Sequence, residues 1–296
     1  MSERYDCTDP ANRTLGIDSA AAAVRRGEVV VLPTDTVYGI GCDAFDGNAV
    51  ADVLAAKGRG RDMPPPVLIP TARTAQGLAT QVPDYAQRLM ERFWPGPLTL
   101  VLKSHTSLHW DLGETNGTVA LRVPANEIAL ELLGEIGPMA VTSANTTGDP
   151  AARTVEDAVE MLGDAVSVYL DGGPASDGEA STIIDCTGEA PVTLRLGALA
   201  QEVIDAALEP DPDPDHDAQT DDETPDAQTD DEQTDDEQTD DEQTDADAVD
   251  ETDAPSAAVP ADAPEPVAEP ATMGEWRDVS DVSEPTRRTD DPAPTP

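Results

Sequence analysis

The run Val29-Val30-Val31-Leu32-Pro33 constrains this chain more than any other stretch. Four consecutive branched apolar residues read as a strand buried on both faces, hence one in the interior of a sheet. Pro33 has no N–H to give to a ladder and closes the strand. The chain then leaves the sheet as a polar cluster, Thr34-Asp35-Thr36-Val37-Tyr38-Gly39, before Ile40-Gly41-Cys42. Ligands of open α/β sheets bind where strands end. The cluster therefore predicts either a binding site or a tight turn in which Thr and Asp satisfy their own backbone.

Hydrophobic period and breakers organise the rest. Residues Met1 to Thr14 are polar and read as a loose arm, after which Asp18 or Ser19 caps a short helix that runs through Arg26 and stops at Gly27. Ala49 to Lys57 carries Val50, Val53 and Leu54 at helical spacing and ends in Lys57-Gly58-Arg59-Gly60-Arg61, a knot of positive charge. Such a knot either complements a helix C-terminus in solvent or receives an anionic ligand. Pro64 to Pro66 lead into the strand Val67 to Ile69. Pro83 to Phe93 is helical, and Trp94-Pro95-Gly96-Pro97 breaks it and launches the strand Leu98 to Leu102, with the Trp as a lid on the core. Ser104 to Asn116 is a loop.

Thr118 to Val123 is a strand with one charge, Arg122, among apolar neighbours; a buried unpaired charge is strongly unfavourable, so Arg122 needs a carboxylate from the protein or from a ligand. Glu127 to Ile136 is an amphipathic helix, and Met139 to Thr142 a strand that runs into Ser143-Ala144-Asn145. Thr154 and Asp157 form a capping box for the helix that Gly163 ends. Val166 to Leu170, Ile183 to Cys186 and Val192 to Arg195 are further strands, and Leu199 to Leu208 is the last helix. Strands and helices alternate, which predicts an α/β fold, and antiparallel neighbours near the end favour a mixed sheet.

Charge divides the chain near Leu208. Of the net charge of −44, residues 209–296 carry 32 Asp and Glu against 3 Arg, leaving −15 for the first 208 residues. The segment Gln228-Thr229-Asp230-Asp231-Glu232 repeats with a period of five and offers no apolar position to bury, so 209–296 reads as a disordered acidic tail. The domain reading is an arm over 1–14, one folded domain over 15–208 and the tail. Lys57 and Lys103 are the only lysines. An acidic, lysine-poor surface suits a cytosol at near-molar salt, as in halophilic archaea, and argues against a broad basic footprint for duplex nucleic acid. Cys7, Cys42 and Cys186 lack CxxC spacing, and His105, His109 and His216 are scattered, so neither a zinc site nor a histidine triad is expected. No apolar run reaches the length of a signal peptide or a membrane span, which predicts a soluble cytoplasmic protein.

Phosphate loops of the GxxxxGK[ST] and GxGxxG types are absent. The ordered set Pro33-Thr34-Asp35-Thr36-Val37-Tyr38-Gly39, Lys57-Gly58-Arg59, Trp94-Pro95-Gly96-Pro97-Leu98-Thr99, Arg122-Val123-Pro124, Thr142-Ser143-Ala144-Asn145, Ser181-Thr182 and Arg195-Leu196-Gly197 resembles the YrdC family of threonylcarbamoyl-AMP synthases, over Asp18 to Leu208. The resemblance implies an open, twisted mixed sheet flanked by helices. It implies synthesis of threonylcarbamoyl-AMP and pyrophosphate from ATP, L-threonine and bicarbonate or carbon dioxide, with Mg²⁺ accompanying ATP. A downstream tRNA threonylcarbamoyltransferase complex, with at most weak tRNA contact by this chain, is the implied partner.

By the same resemblance, Lys57 and Arg59 act electrostatically on the ATP phosphates, with Thr118, Asn145, Arg153 and Arg195 also seating the nucleotide. Thr36, Arg122, Ser143 and Ser181 fall at threonine positions, Arg122 gripping the carboxylate with its planar fork. No protein ligand to a metal is assigned. Leu68 stands where some members carry a substrate-contacting His, Met63 where others carry a polar residue, and the acidic tail where longer members append a second folded domain. Rival readings are a carbamoyl-AMP-type transferase, a non-catalytic RNA-binding module, and a tail-based interaction scaffold.

Overall fold

The computed structural model describes residues 2–175 and 179–209. The tail expected beyond Glu209 lies outside the described residues. In chain order the strands are β1 (Glu3–Asp6), β2 (Val30–Leu32), β3 (Gly39–Asp43), β4 (Val67–Leu68), β5 (Ala79–Thr80), β6 (Leu98–Ser104), β7 (Thr118–Arg122), β8 (Met139–Ser143), β9 (Val168–Asp171), β10 (Thr182–Asp185) and β11 (Val192–Arg195). The helices are α1 (Pro10–Arg25), α2 (Gly47–Lys57), α3 (Ala75–Leu78), α4 (Asp84–Phe93), α5 (Glu127–Ile136), α6 (Val155–Leu162) and α7 (Gln201–Leu208).

The strands form one sheet in the order β1-β9-β2-β3-β8-β4-β7-β6-β10-β11, with β5 alongside β6. Its ladders are mixed: β2 pairs in parallel with β9 and antiparallel with β3, and β7 in parallel with β4 and antiparallel with β6. Every residue of β2 is buried, as its apolar run requires of an interior strand.

Two apolar clusters lie on opposite faces. One joins α2, α4, α6 and α7 to Val31, Ile40, Val67, Leu98, Leu100 and Leu121. The other joins α1 and α5 to Val30, Leu32, Leu68, Met139, Val141 and Leu170. Gly39 and Gly41 leave β3 bare on that second face because a Cβ on either would come within 2.6 Å of a Val141 methyl. The second cluster draws on none of β6, β7, β10 or β11. Since side chains alternate along a strand, Thr99 and Arg122, whose neighbours Leu98, Leu100 and Leu121 fill the first cluster, project from the opposite face, where both are nonetheless buried.

The expected loose arm is corrected. Residues 3–6 extend the sheet against β9, and α1 starts at Pro10 with Asp9 as its cap, accepting from the amides of Ala11 and Asn12 at 3.0 Å each. Asp18 and Ser19, the expected caps, lie inside that helix. A capping Asp followed by Pro at the first helical position is a start signal, and Gly16 lets Tyr5 of β1 lie against the helix. Other boundaries moved by a few residues, and the Thr154–Asp157 capping box is present. Among the described residues, no helix is long and apolar enough to cross a membrane.

Candidate functional site

In the knot at the end of α2, Lys57 is buried and Arg59 half-buried, whereas Arg61 lies in solvent. Gly58 adopts the left-handed conformation with φ +62° and turns the chain out of the helix. Lys57 is 3% exposed. Its ammonium donates to the backbone carbonyl of Ser143, to that of Asn145 at 2.6 Å and to Asn145 Oδ1 at 3.0 Å, which engages all three of its protons. Asn145 is itself held, its amide donating to the carbonyls of Thr146 at 3.0 Å and Asp149 at 2.6 Å, while Ser143 Oγ donates to its Oδ1 at 2.6 Å. Burial, with a smaller contribution from the Arg59 charge, pushes the Lys57 pKa down to about 7.

Arg59 donates from Nη1 to Thr142 Oγ1 at 3.0 Å, and its buried Nε has no hydrogen-bond partner among the described residues. Burial lowers its pKa; the nearby Asp62 opposes this and the Arg195 charge adds to it. Among the described residues neither Lys57 nor Arg59 forms a salt bridge, whereas Arg61 is exposed and pairs with Asp111 at 2.5 Å. A buried ammonium and a half-buried guanidinium, solvated by carbonyls and a hydroxyl, thus lie close together, with the charge of Arg195 acting on Arg59.

A second node surrounds Arg122. Its guanidinium donates from Nε to the Gly96 carbonyl at 2.9 Å, from Nη1 to Thr36 Oγ1 at 3.0 Å and from Nη2 to Asp35 Oδ1 at 2.7 Å. The carboxylate that Arg122 requires is therefore supplied by the protein, in the loop that follows β2. Thr36 is oriented in turn by Thr34, whose Oγ1 lies 3.0 Å from Thr36 Oγ1 and donates to the Val37 carbonyl at 2.6 Å. Trp94, 8% exposed, donates from Nε1 to the Leu98 carbonyl at 2.7 Å, so it is the expected core lid and fixes the turn that offers Gly96 O.

A third node links β6, β10 and β11: Thr99 Oγ1 and Ser181 Oγ are 2.8 Å apart, and Arg195 Nη2 donates to the Ser181 carbonyl at 2.7 Å. Thr118 donates to the Thr115 carbonyl at 2.7 Å and lines a small cavity of about 30 Å³ with Pro64, Val101 and Leu194. Arg153 is exposed, and its side chain makes no hydrogen bond to the other named residues. Leu68 is buried beside Met139 and pairs with Arg122 across the ladder; Met63 is half-buried.

The structure thus joins Lys57, Ser143 and Asn145 directly, joins Thr36 to Arg122 and Ser181 to Arg195, and links the first node to Arg195 through Arg59. Ser143 pairs with Gly39 at one end of β8, whereas Arg122 sits beside Leu68, opposite Met139 at the other end, so the nodes are spread across the sheet. Asp35, Thr99 and Thr142 are site residues to which sequence reasoning gave no role. For Asp35 a signal existed: a charged strand residue that demands a counter-ion. Among the described residues, no group of three or more His, Cys, Asp or Glu could hold a metal ion.

These features define an α/β protein whose mixed sheet carries a cluster of enclosed ammonium, guanidinium and hydroxyl groups. The chain belongs to the Sua5/YciO/YrdC family, whose model, described as telomere recombination, matches residues 22–197. A Mycobacterium tuberculosis protein provisionally named threonylcarbamoyl-AMP synthase is 52% identical over 208 residues, covering 70% of this chain and 96% of its own. A crystal structure of Pyrococcus abyssi Sua5 complexed with L-threonine matches at a TM-score of 0.63 and 40% identity, over 64% of this chain and 56% of that one. This chain therefore spans little more than half of the Pyrococcus protein. Escherichia coli YciO matches at a TM-score of 0.61 and 28% identity, over 69% of this chain and all of its own.

Proposed function

We propose that this chain is a threonylcarbamoyl-AMP synthase, forming threonylcarbamoyl-AMP and pyrophosphate from ATP, L-threonine and bicarbonate or carbon dioxide. The observation that carries the reading is the Lys57–Arg59 pair: a buried ammonium and a half-buried guanidinium, neither in a salt bridge among the described residues, with the charge of Arg195 acting on Arg59. A triphosphate supplies the charge such a site lacks.

The reaction needs no side-chain nucleophile. An unprotonated threonine amine captures carbon dioxide, and the resulting carbamate oxygen attacks the α-phosphorus of ATP while the bond to the bridging oxygen breaks and pyrophosphate leaves. The protein's task is alignment and charge stabilisation. Lys57 and Arg59 face the phosphates, with Asn145 and Ser143 fixing the ammonium and Thr118, Arg153 and Arg195 seating the rest of the nucleotide. Thr36, Arg122 and Ser181 hold threonine, two Arg122 N–H groups remaining after its three protein contacts.

Mg²⁺ suits this donor set as an ion carried by the phosphates, since such ions keep waters and substrate oxygens instead of a protein cage; bound there, it would neutralise phosphate charge. The product would pass to a tRNA threonylcarbamoyltransferase complex in the cytoplasm, and the acidic composition fits activity at high salt.

Steady-state pyrophosphate release in high salt tests the reading. Release that requires threonine, bicarbonate and ATP together is the expected result. Release with carbamoyl phosphate in place of threonine and bicarbonate points to a carbamoyl transferase, and no release points to a binding module.

A further inference from the structure

We propose that Asp35 is the positioning residue for the amino-acid carboxylate: it fixes the Arg122 guanidinium in the orientation that receives substrate, without touching substrate itself. The inference rests on the synthase reading and deepens its threonine half. Asp35 Oδ1 accepts from Arg122 Nη2 at 2.7 Å and from the backbone amide of Ala125 at 2.9 Å. The second contact matters because it ties the carboxylate to the segment immediately after β7, so Asp35 is located by the same strand end whose arginine it holds. The pair is nearly sealed, with side-chain exposures of 7% for Arg122 and 13% for Asp35.

Arg122 is also held at its other two nitrogens, by Gly96 O and Thr36 Oγ1. A guanidinium tethered at every nitrogen, by the loop after β2 and by the turn at Gly96, is fixed in orientation, and only its remaining N–H directions are offered to a ligand. The arrangement argues against Asp35 as a competitor that a substrate carboxylate must displace, since a mobile competitor would not share its oxygen with a backbone amide. A neutral isostere at position 35 keeps an acceptor but loses the charge-assisted bond, which is about twice as strong as a neutral one.

The test uses the full chain in steady-state pyrophosphate release. Asp35→Asn is expected to raise the threonine KM about tenfold while kcat at saturating threonine and the ATP KM change less than about twofold. Asp35→Glu keeps the charge but moves the oxygen off the Ala125 amide, and it is expected to raise the threonine KM as well; it also carries the test if Asp35→Asn folds poorly. In an Arg122→Lys background, where no planar fork remains to be oriented, Asp35→Asn is expected to add nothing. A threonine KM that stays level or falls would overturn the proposal in favour of a competitor, and a parallel rise in both KM values would reduce Asp35 to a general structural role. Wild-type protein lacking threonine-dependent release would instead remove the synthase reading, and this inference with it.

Discussion

Lys57 and Asn145 are joined twice, the ammonium donating to the Asn145 backbone carbonyl at 2.6 Å and to its side-chain oxygen at 3.0 Å. One side chain at the end of α2 thereby fixes the loop after β8, and the loop in turn fixes the position of the ammonium. Replacing Lys57 by Met is expected to lower pyrophosphate release at least about a hundredfold. Stability should change by only about 1–2 kcal/mol, because the loss of hydrogen bonds is offset by removal of a buried charge without a counter-ion. Turnover assays and urea unfolding of the two proteins check both halves, and equal turnover would remove Lys57 from its assigned role.

The same residue predicts a pH dependence. Burial lowers its pKa from the ordinary 10.5 to about 7 in the fold. Between those values the unfolded chain binds more protons than the native one, so ligand-free stability rises as pH climbs through this window. Urea midpoints at pH 7 and pH 9 should therefore show wild type gaining stability relative to Lys57→Met. A difference between the two proteins that stays constant with pH would contradict the assignment.

Arg122 and Asp35 form the most enclosed salt bridge among the described residues, with a separation of 2.7 Å. Removing one partner of such a pair leaves the other buried and uncompensated, which typically costs about 3–5 kcal/mol. Arg122→Ala is expected to lose that much in urea unfolding, whereas the joint change of Arg122 and Asp35 to uncharged residues should lose less than the two single losses combined. Additive losses in that double-mutant cycle would contradict direct coupling.

Trp94 covers the core and holds the turn that presents Gly96 O to Arg122. Trp94→Phe leaves the Leu98 carbonyl without its indole donor and opens a small void, for which about 1–3 kcal/mol is expected. Because Gly96 O steadies the Arg122 fork, the threonine KM should rise more than the ATP KM. Equal changes in both would separate the turn from the threonine side.

Much of this architecture was readable from the sequence, for reasons that differ by element. The run from Val29 to Leu32 could only be an interior strand, and the Thr154–Asp157 spacing could only cap a helix, because both signals are local. The N-terminal arm was misread because β1 becomes a strand by pairing with β9, about 165 residues away along the chain, and no period in Glu3 to Asp6 announces it. At the site, Lys57 and Arg59 stood out as concentrated charge in an acidic chain. That Lys57 is sealed by the Ser143 and Asn145 carbonyls, and that Asp35 answers Arg122, depended on which loops the sheet order brings together, information carried by topology and not by any single motif.

The central claim is that one chain joins three small molecules through charge and alignment alone. Supplying heavy-carbon bicarbonate with ATP and threonine, and following the adenylate product by mass spectrometry, tests it most directly. The account predicts an adenylate that contains both threonine and the heavy carbon, formed in step with pyrophosphate. A heavy-carbon adenylate lacking threonine, or ATP cleavage that proceeds unchanged without threonine, would contradict it.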